Sequence, residues 1–64
     1  MSEATRLFAR LTGELEDLHG LAVEGQVYDQ PPEVLHALAD GVATGLQGVA
    51  RTLLFIRLSI DPDA

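Results

Sequence analysis

The chain has 64 residues, of which 47% are hydrophobic, with ten acidic residues, four Arg and no Cys. A net charge of −6 leaves no basic stripe for a nucleic acid, and the hydrophobic content argues against disorder. Without Cys there is neither a disulfide nor a thiolate metal site. Because a domain this small buries too little surface to be stable without help, oligomerisation is the source of stability that the composition favours.

The first predicted element is an amphipathic helix over about residues 3–25. Its apolar residues recur at alternating intervals of four and three, which at about 100° per residue places them on one face. They are Ala4, Phe8, Leu11, Leu15, Leu18 and Ala22, with Leu7 beside them. Charged residues such as Arg6 and Asp17 fall opposite. Ser2 directly precedes this segment and is the predicted N-cap.

A turn is predicted over residues 26–31, within the sequence GQVYDQPPE. Each Pro disfavours helical backbone at the residue before it, so the pair Pro31–Pro32 breaks any helix that reaches it. Pro32 suits the first turn of a following helix, where its missing N–H is no loss. Asp29 or Gln30 is then expected near the cap position.

The second predicted helix covers about residues 32–59 and is followed by a polar tail, 61–64. Its apolar residues share one face, namely Leu35, Leu38, Val42, Leu46, Val49, Leu53, Ile56 and Ile60. A strand over TLLFIRLSI is the local alternative, because β-branched and aromatic residues gather there. A lone strand in a helical chain would lack a partner, so one continuous helix is the better prediction.

Two long helices with a short connection predict a single all-α domain, an antiparallel two-helix hairpin. A hairpin alone leaves the outer half of each apolar arc in water, whereas two hairpins close a four-helix bundle. We therefore expect a homo-oligomer, most simply a dimer. The apolar residues expected at its interface are Leu46, Val49, Leu53, Ile56 and Ile60.

A groove of small residues runs beside this apolar stripe, with Gly41, Gly45, Gly48 and Thr52 at spacings of four, three and four. Three glycines cost a helix about 2–3 kcal/mol relative to Ala. Close approach of another helix backbone is the usual compensation. We therefore expect the three glycines to belong to the oligomer interface. The alternative is that they are simply tolerated in a sequence rich in Gly and Ala.

Residues 41–60 are long enough to span a bilayer, but their polar content argues against it. Arg51 lies at the middle, where an Arg costs about 2.5–3.5 kcal/mol, and Thr44 and Gln47 extend a polar stripe toward it. No membrane span is expected. The N-terminal MSEATRLF has no apolar run typical of a signal peptide, so a cytoplasmic protein is expected.

The end of the second helix is apolar on nearly every side, because Leu54, Phe55 and Leu58 occupy what was its polar side. A helix of that kind needs to be covered. Arg57 lies near the edge of the apolar arc. It either extends its charged head past the rim of the bundle or pairs with an acid from another chain.

Both His residues follow a Glu by three positions, as Glu16–His19 and Glu33–His36. The spacing resembles that of ferritin-like di-iron bundles over these four residues only. An antiparallel hairpin would bring His19 and His36 to similar heights. A metal-binding four-helix bundle using these four residues is therefore the alternative function. Against it, Glu16 and His36 lie away from the apolar faces.

No catalytic constellation is present, since no Ser, Thr or Cys nucleophile has a His–acid arrangement and no phosphate-binding loop follows a strand. We expect neither an enzyme nor a bound cofactor. Seven acids and no Lys or Arg occur between Glu14 and Asp40, so the turn end should be strongly acidic. It either engages a basic partner, packs against the other end of a second copy, or is simply solvated.

The sequence therefore predicts a small acidic helical module for oligomerisation or protein interaction. We expect a regulatory or accessory protein, whose partner is a second copy, a basic protein or a larger enzyme.

Overall fold

The computed structural model describes residues 2–61 and contains two α-helices, α1 at Glu3–Glu24 and α2 at Pro32–Ile60. The helices pack against each other, and no strand occurs within residues 2–61, which confirms the predicted all-α hairpin. The TLLFIRLSI segment lies inside α2. The hairpin is long and thin, with extents of 48 × 20 × 10 Å. Of the predicted polar tail, only Asp61 belongs to the described residues.

The beginning of α1 is fixed by its cap. The Ser2 hydroxyl accepts a hydrogen bond from the backbone N–H of Thr5 at 3.1 Å, which satisfies one of the free amides of the first turn. The Glu3 carboxylate also pairs with the Arg6 guanidinium. The predicted cap at Ser2 is therefore confirmed.

The connection between the helices is short and bends at Asp29, whose φ of 67° lies in the left-handed region. Asp is one of the few residues besides Gly that adopt this conformation readily. The Gln30 side-chain amide donates to the backbone carbonyl of Glu24, which ties the turn to the end of α1. The N-cap of α2 is Pro31, with no side-chain hydrogen bond, rather than Asp29 or Gln30. Because Gln30 bonds back to α1, it is not available to cap α2.

The seam between the helices follows a different edge of α1 from the one that the apolar pattern suggested. The less exposed residues of α1 are Ala4, Leu7, Leu11, Glu14, Leu18 and Leu21. On α2 they are Leu38, Gly41, Val42, Gly45, Gly48, Val49, Thr52 and Ile56. Phe8 and Leu15, expected on the inner face, are half exposed. The apolar arc of α1 is broader than one neighbouring helix can cover, and α2 covers the edge nearest Leu7 and Glu14.

The fully buried part of the hairpin is small. Among residues 2–61, only Ile56 at 2% exposure and Thr52 at 0% are buried. Both lie on α2 and face α1. Most other large apolar side chains keep contact with water, so the hairpin by itself encloses almost no core.

Candidate interaction face

The glycines of α2 lie against leucines of α1 in the same chain. A Cβ built on Gly45 would overlap Leu18 Cδ2, and one on Gly41 would lie 3.3 Å from Leu21 Cδ1. Further along, a Cβ on Gly48 would lie 3.4 Å from Glu14 Oε2. The close approach that these glycines permit is therefore used inside the hairpin.

The glycine spacing predicts a groove at an interface between copies, whereas the element that occupies this groove within the chain is α1. The predicted reason for the glycines, close approach of a helix, agrees with this packing. Their participation in an interface between copies stays a prediction.

An open cavity of about 290 Å³ follows one side of the seam. It is lined by Glu14, Asp17, Leu18, Leu21, Gly41, Thr44, Gly45 and Gly48. Glu14 Oε1 has almost no contact with solvent and no hydrogen-bond partner, while its Oε2 lies 3.8 Å from Arg10 Nε. The Thr52 hydroxyl, one turn beyond Gly48, is also buried without a partner. The seam thus contains two polar groups that it does not satisfy, which lowers its contribution to stability.

Glycine–leucine contacts also define the register of the hairpin. The residue numbers of the facing pairs Leu18–Gly45, Leu21–Gly41 and Glu14–Gly48 add up to 62 or 63. By the same rule, Leu15 lies near the height of Leu46, and Phe8 near that of Leu53. All four side chains are half exposed.

These four residues also lie on the same side of the hairpin. At about 100° per residue, Phe8 and Leu15 lie roughly 80–100° around α1 from the middle of the seam. Leu46 and Leu53 lie roughly the same angle around α2, in the same rotational sense. Because the helices are antiparallel, equal rotations in that sense bring the two pairs to one side. We call this surface of Phe8, Leu15, Leu46 and Leu53 the open apolar face.

The five apolar residues predicted at the oligomer interface divide between two environments. Leu46, Leu53 and Ile60 are exposed, so they are available to a second chain. Val49 is half-buried, and Ile56 is buried against α1. Ile56 therefore stabilises the hairpin itself.

A second exposed apolar surface, the outer patch, consists of Leu54, Phe55 and Leu58 near the end of α2. It covers the side of the helix that points away from α1. The ion pairs within residues 2–61 involve Arg6 and Arg10, so Arg51 and Arg57 have no acidic partner in this part of the chain.

The candidate metal ligands do not converge within the hairpin. Glu16, His19, Glu33 and His36 are all exposed. Among the described residues, no three His, Asp or Glu side chains come together closely enough to hold a metal ion. A site built on these residues would need ligands from more than one copy, and the metal-binding alternative stays a prediction.

Neither α1 nor α2 contains a stretch with both the length and the apolar character that crossing a bilayer requires. The hydrophobic segment 41–60 instead divides its small residues and its large apolar residues between the seam and the exposed faces.

Comparison with known protein families, with curated proteins and with solved structures finds no match for this chain. Function is therefore inferred from the geometry and side-chain chemistry described above.

Proposed function

We propose that the chain is a small oligomerisation and protein-interaction module, and that two copies close a four-helix bundle through the open apolar face. The observation that supports this proposal most directly is the alignment of Phe8, Leu15, Leu46 and Leu53. They are half exposed, lie on one side and come from both helices.

The accessible surface of the chain supports the same proposal. It amounts to 4904 Å², whereas a compact monomer of 6.9 kDa exposes about 4000 Å². The excess is similar to the roughly 800 Å² that each partner buries in an interface of standard size. Covering the open apolar face of each hairpin with the other would account for this excess.

The biochemical role that fits such a dimer is regulatory or accessory. The outer patch lies on a different side of α2 from the open apolar face, so dimerisation through that face would leave it free for a further protein. The acidic turn end is a second surface suited to a basic partner. The active partner in this role would be another protein, such as a larger enzyme.

The decisive experiment places an acid on each side of α2. Leu53 is 45% exposed on the open apolar face, and Leu54 is 53% exposed on the outer patch, about 100° further around the helix. L53D should weaken dimerisation at least about 100-fold, since a carboxylate in an apolar interface is costly to desolvate. L54D is the matched control and should remain a dimer. Sedimentation equilibrium at micromolar concentration, with circular dichroism for helicity, measures both.

A wild-type chain that is fully helical and monomeric at micromolar concentration would overturn the proposal. So would equal loss of dimer in L53D and L54D, because the interface would then not be the open apolar face. F8D provides an independent check from α1 and should behave like L53D.

A further inference from the structure

Charge is divided unequally along the hairpin. The half near the turn, residues 14–49, carries seven acids and no Lys or Arg. The open half, residues 2–13 and 50–61, carries all four Arg against Glu3 and Asp61, a net charge of +2. Residues 2–13 and 50–61 lie at the same end of the hairpin because the helices are antiparallel.

The length of the hairpin keeps the two halves electrostatically separate. Its long dimension is 48 Å, several times the Debye length of about 8 Å at physiological ionic strength. Each half of one copy therefore interacts mainly with whatever lies directly beside it in a second copy. A dimer with both turns at one end would place two strongly acidic halves side by side.

We infer that the second copy packs inverted, with the acids that begin at Glu14 in each hairpin beside the Arg-containing half of the other. This inference rests on the proposed dimer and adds its orientation. The net charge of −6 on each chain repels in either arrangement, and inversion replaces the strongest local repulsion by attraction.

The position of the open apolar face supports the inverted arrangement. Its exposed residues are centred between Phe8 and Leu15 on α1, which is toward the open end and not at the middle of the hairpin. If the second copy is turned end over end about that centre, Phe8 and Leu53 of one copy lie opposite Leu15 and Leu46 of the other. It also places the Arg-containing levels of each copy near the acids that begin at Glu14.

Arg57 lies at the edge of the open apolar face on α2. Arg57 lies roughly 120° around the helix from the seam, in the same rotational sense as Leu53. Arg57 has no acidic partner within residues 2–61. Inverted packing brings Arg57 of each copy to the height of Glu16 and Asp17 in the other, whereas packing with the turns together would place the two Arg57 side chains at the same height.

A distance measurement distinguishes the two orientations. The chain has no Cys, so a single introduced Cys carries a unique spin label. Tyr28 lies in the turn and is 93% exposed, so Y28C leaves both helices and the open apolar face intact. Inverted packing should separate the two labels by roughly 45–50 Å at 1.5 Å per residue. Packing with the turns together should bring them within about 20 Å, two interaxial spacings.

Thr12 supplies the matched control, because it lies near the centre of the inversion and is exposed. Labels on T12C should be close in either orientation and therefore report the dimer alone. Close labels at both Thr12 and Tyr28 would overturn the inverted orientation while leaving the dimer in place. Absence of any distance between copies at Thr12 would overturn both proposals.

Removal of one charge tests the same orientation without labels. R57Q should weaken the dimer several-fold, because it removes an attraction to the acids of the other copy. A dimer strengthened by R57Q, with helicity unchanged, would argue against the inverted arrangement, because packing with the turns together would bring like charges close to each other.

Discussion

Two sides of α2, the inner side that faces α1 and the side that belongs to the open apolar face, differ in how they pack. The inner side presents Gly41, Gly45 and Gly48, and the leucines of α1 occupy the space that missing side chains leave. The side that belongs to the open apolar face presents Leu46 and Leu53, which are bulky and half exposed. The inner contact is complete within one chain and depends on shape. The open apolar face carries apolar area that one hairpin does not bury.

This difference separates folding from association within a single helix. Changes on the inner side should alter the free energy of unfolding of the hairpin. Changes on the open apolar face should mainly alter the dissociation constant of the proposed dimer. Three substitutions on the inner side test its part in folding, and L53D above tests the other side.

Ile56 should produce the largest effect because it is the one buried apolar side chain among the described residues, with 2% exposure. I56A should lower the free energy of unfolding by about 2–5 kcal/mol, from lost transfer energy and the cavity left behind. L54A, on the exposed outer patch, should cost less than about 1 kcal/mol. Urea denaturation followed by circular dichroism measures both. Equal losses would mean that the outer patch is as well packed as the seam.

Gly45 should produce the next largest effect. In G45A the new Cβ overlaps Leu18 Cδ2 and lies 3.3 Å from its Cγ, so Leu18 must move, at a cost of about 1–3 kcal/mol. The gain in helix propensity, up to about 1 kcal/mol, offsets only part of this. G13A is the matched control, because nothing lies within 4 Å of a Cβ there.

G13A should therefore stabilise the hairpin by about 0.5–1 kcal/mol, while G45A should not. The sign of the difference between the two thermal midpoints is the measurement. If G45A raised the thermal midpoint as much as G13A, the seam would accommodate the added methyl group, and the glycines would not be needed for close approach.

Thr52 should produce the smallest effect, and of opposite sign to that of Ile56. Its hydroxyl is buried without a hydrogen-bond partner, so T52V keeps the shape of the side chain and removes an unsatisfied polar group. The free energy of unfolding should rise by about 1 kcal/mol. A loss of similar size would show that the hydroxyl is bonded in solution.

Sequence periodicity predicted both helices, and local chemistry predicted the cap at Ser2, because these features depend on neighbouring residues. The edge of α1 that faces α2 was not predicted. The apolar arc containing Phe8 and Leu15 is wider than one neighbour can cover, so periodicity alone leaves the contact edge open. A signal was present in the Leu7, Leu11, Leu18 and Leu21 repeat, whose spacing of three and four complements that of the glycines. Glu14, a charged residue within that repeat, concealed it.

The exposure of Tyr28 has a practical consequence. The chain contains one Tyr and no Trp, and that Tyr lies at the tip of the hairpin, 93% exposed. Its ultraviolet emission is therefore a built-in optical reporter of the tip alone. Inverted side-by-side pairing of hairpins should leave the Tyr28 emission as it is in water. A protein that binds the tip should change the intensity of that emission. A simple fluorescence titration can thus recognise a tip-binding partner without any added dye.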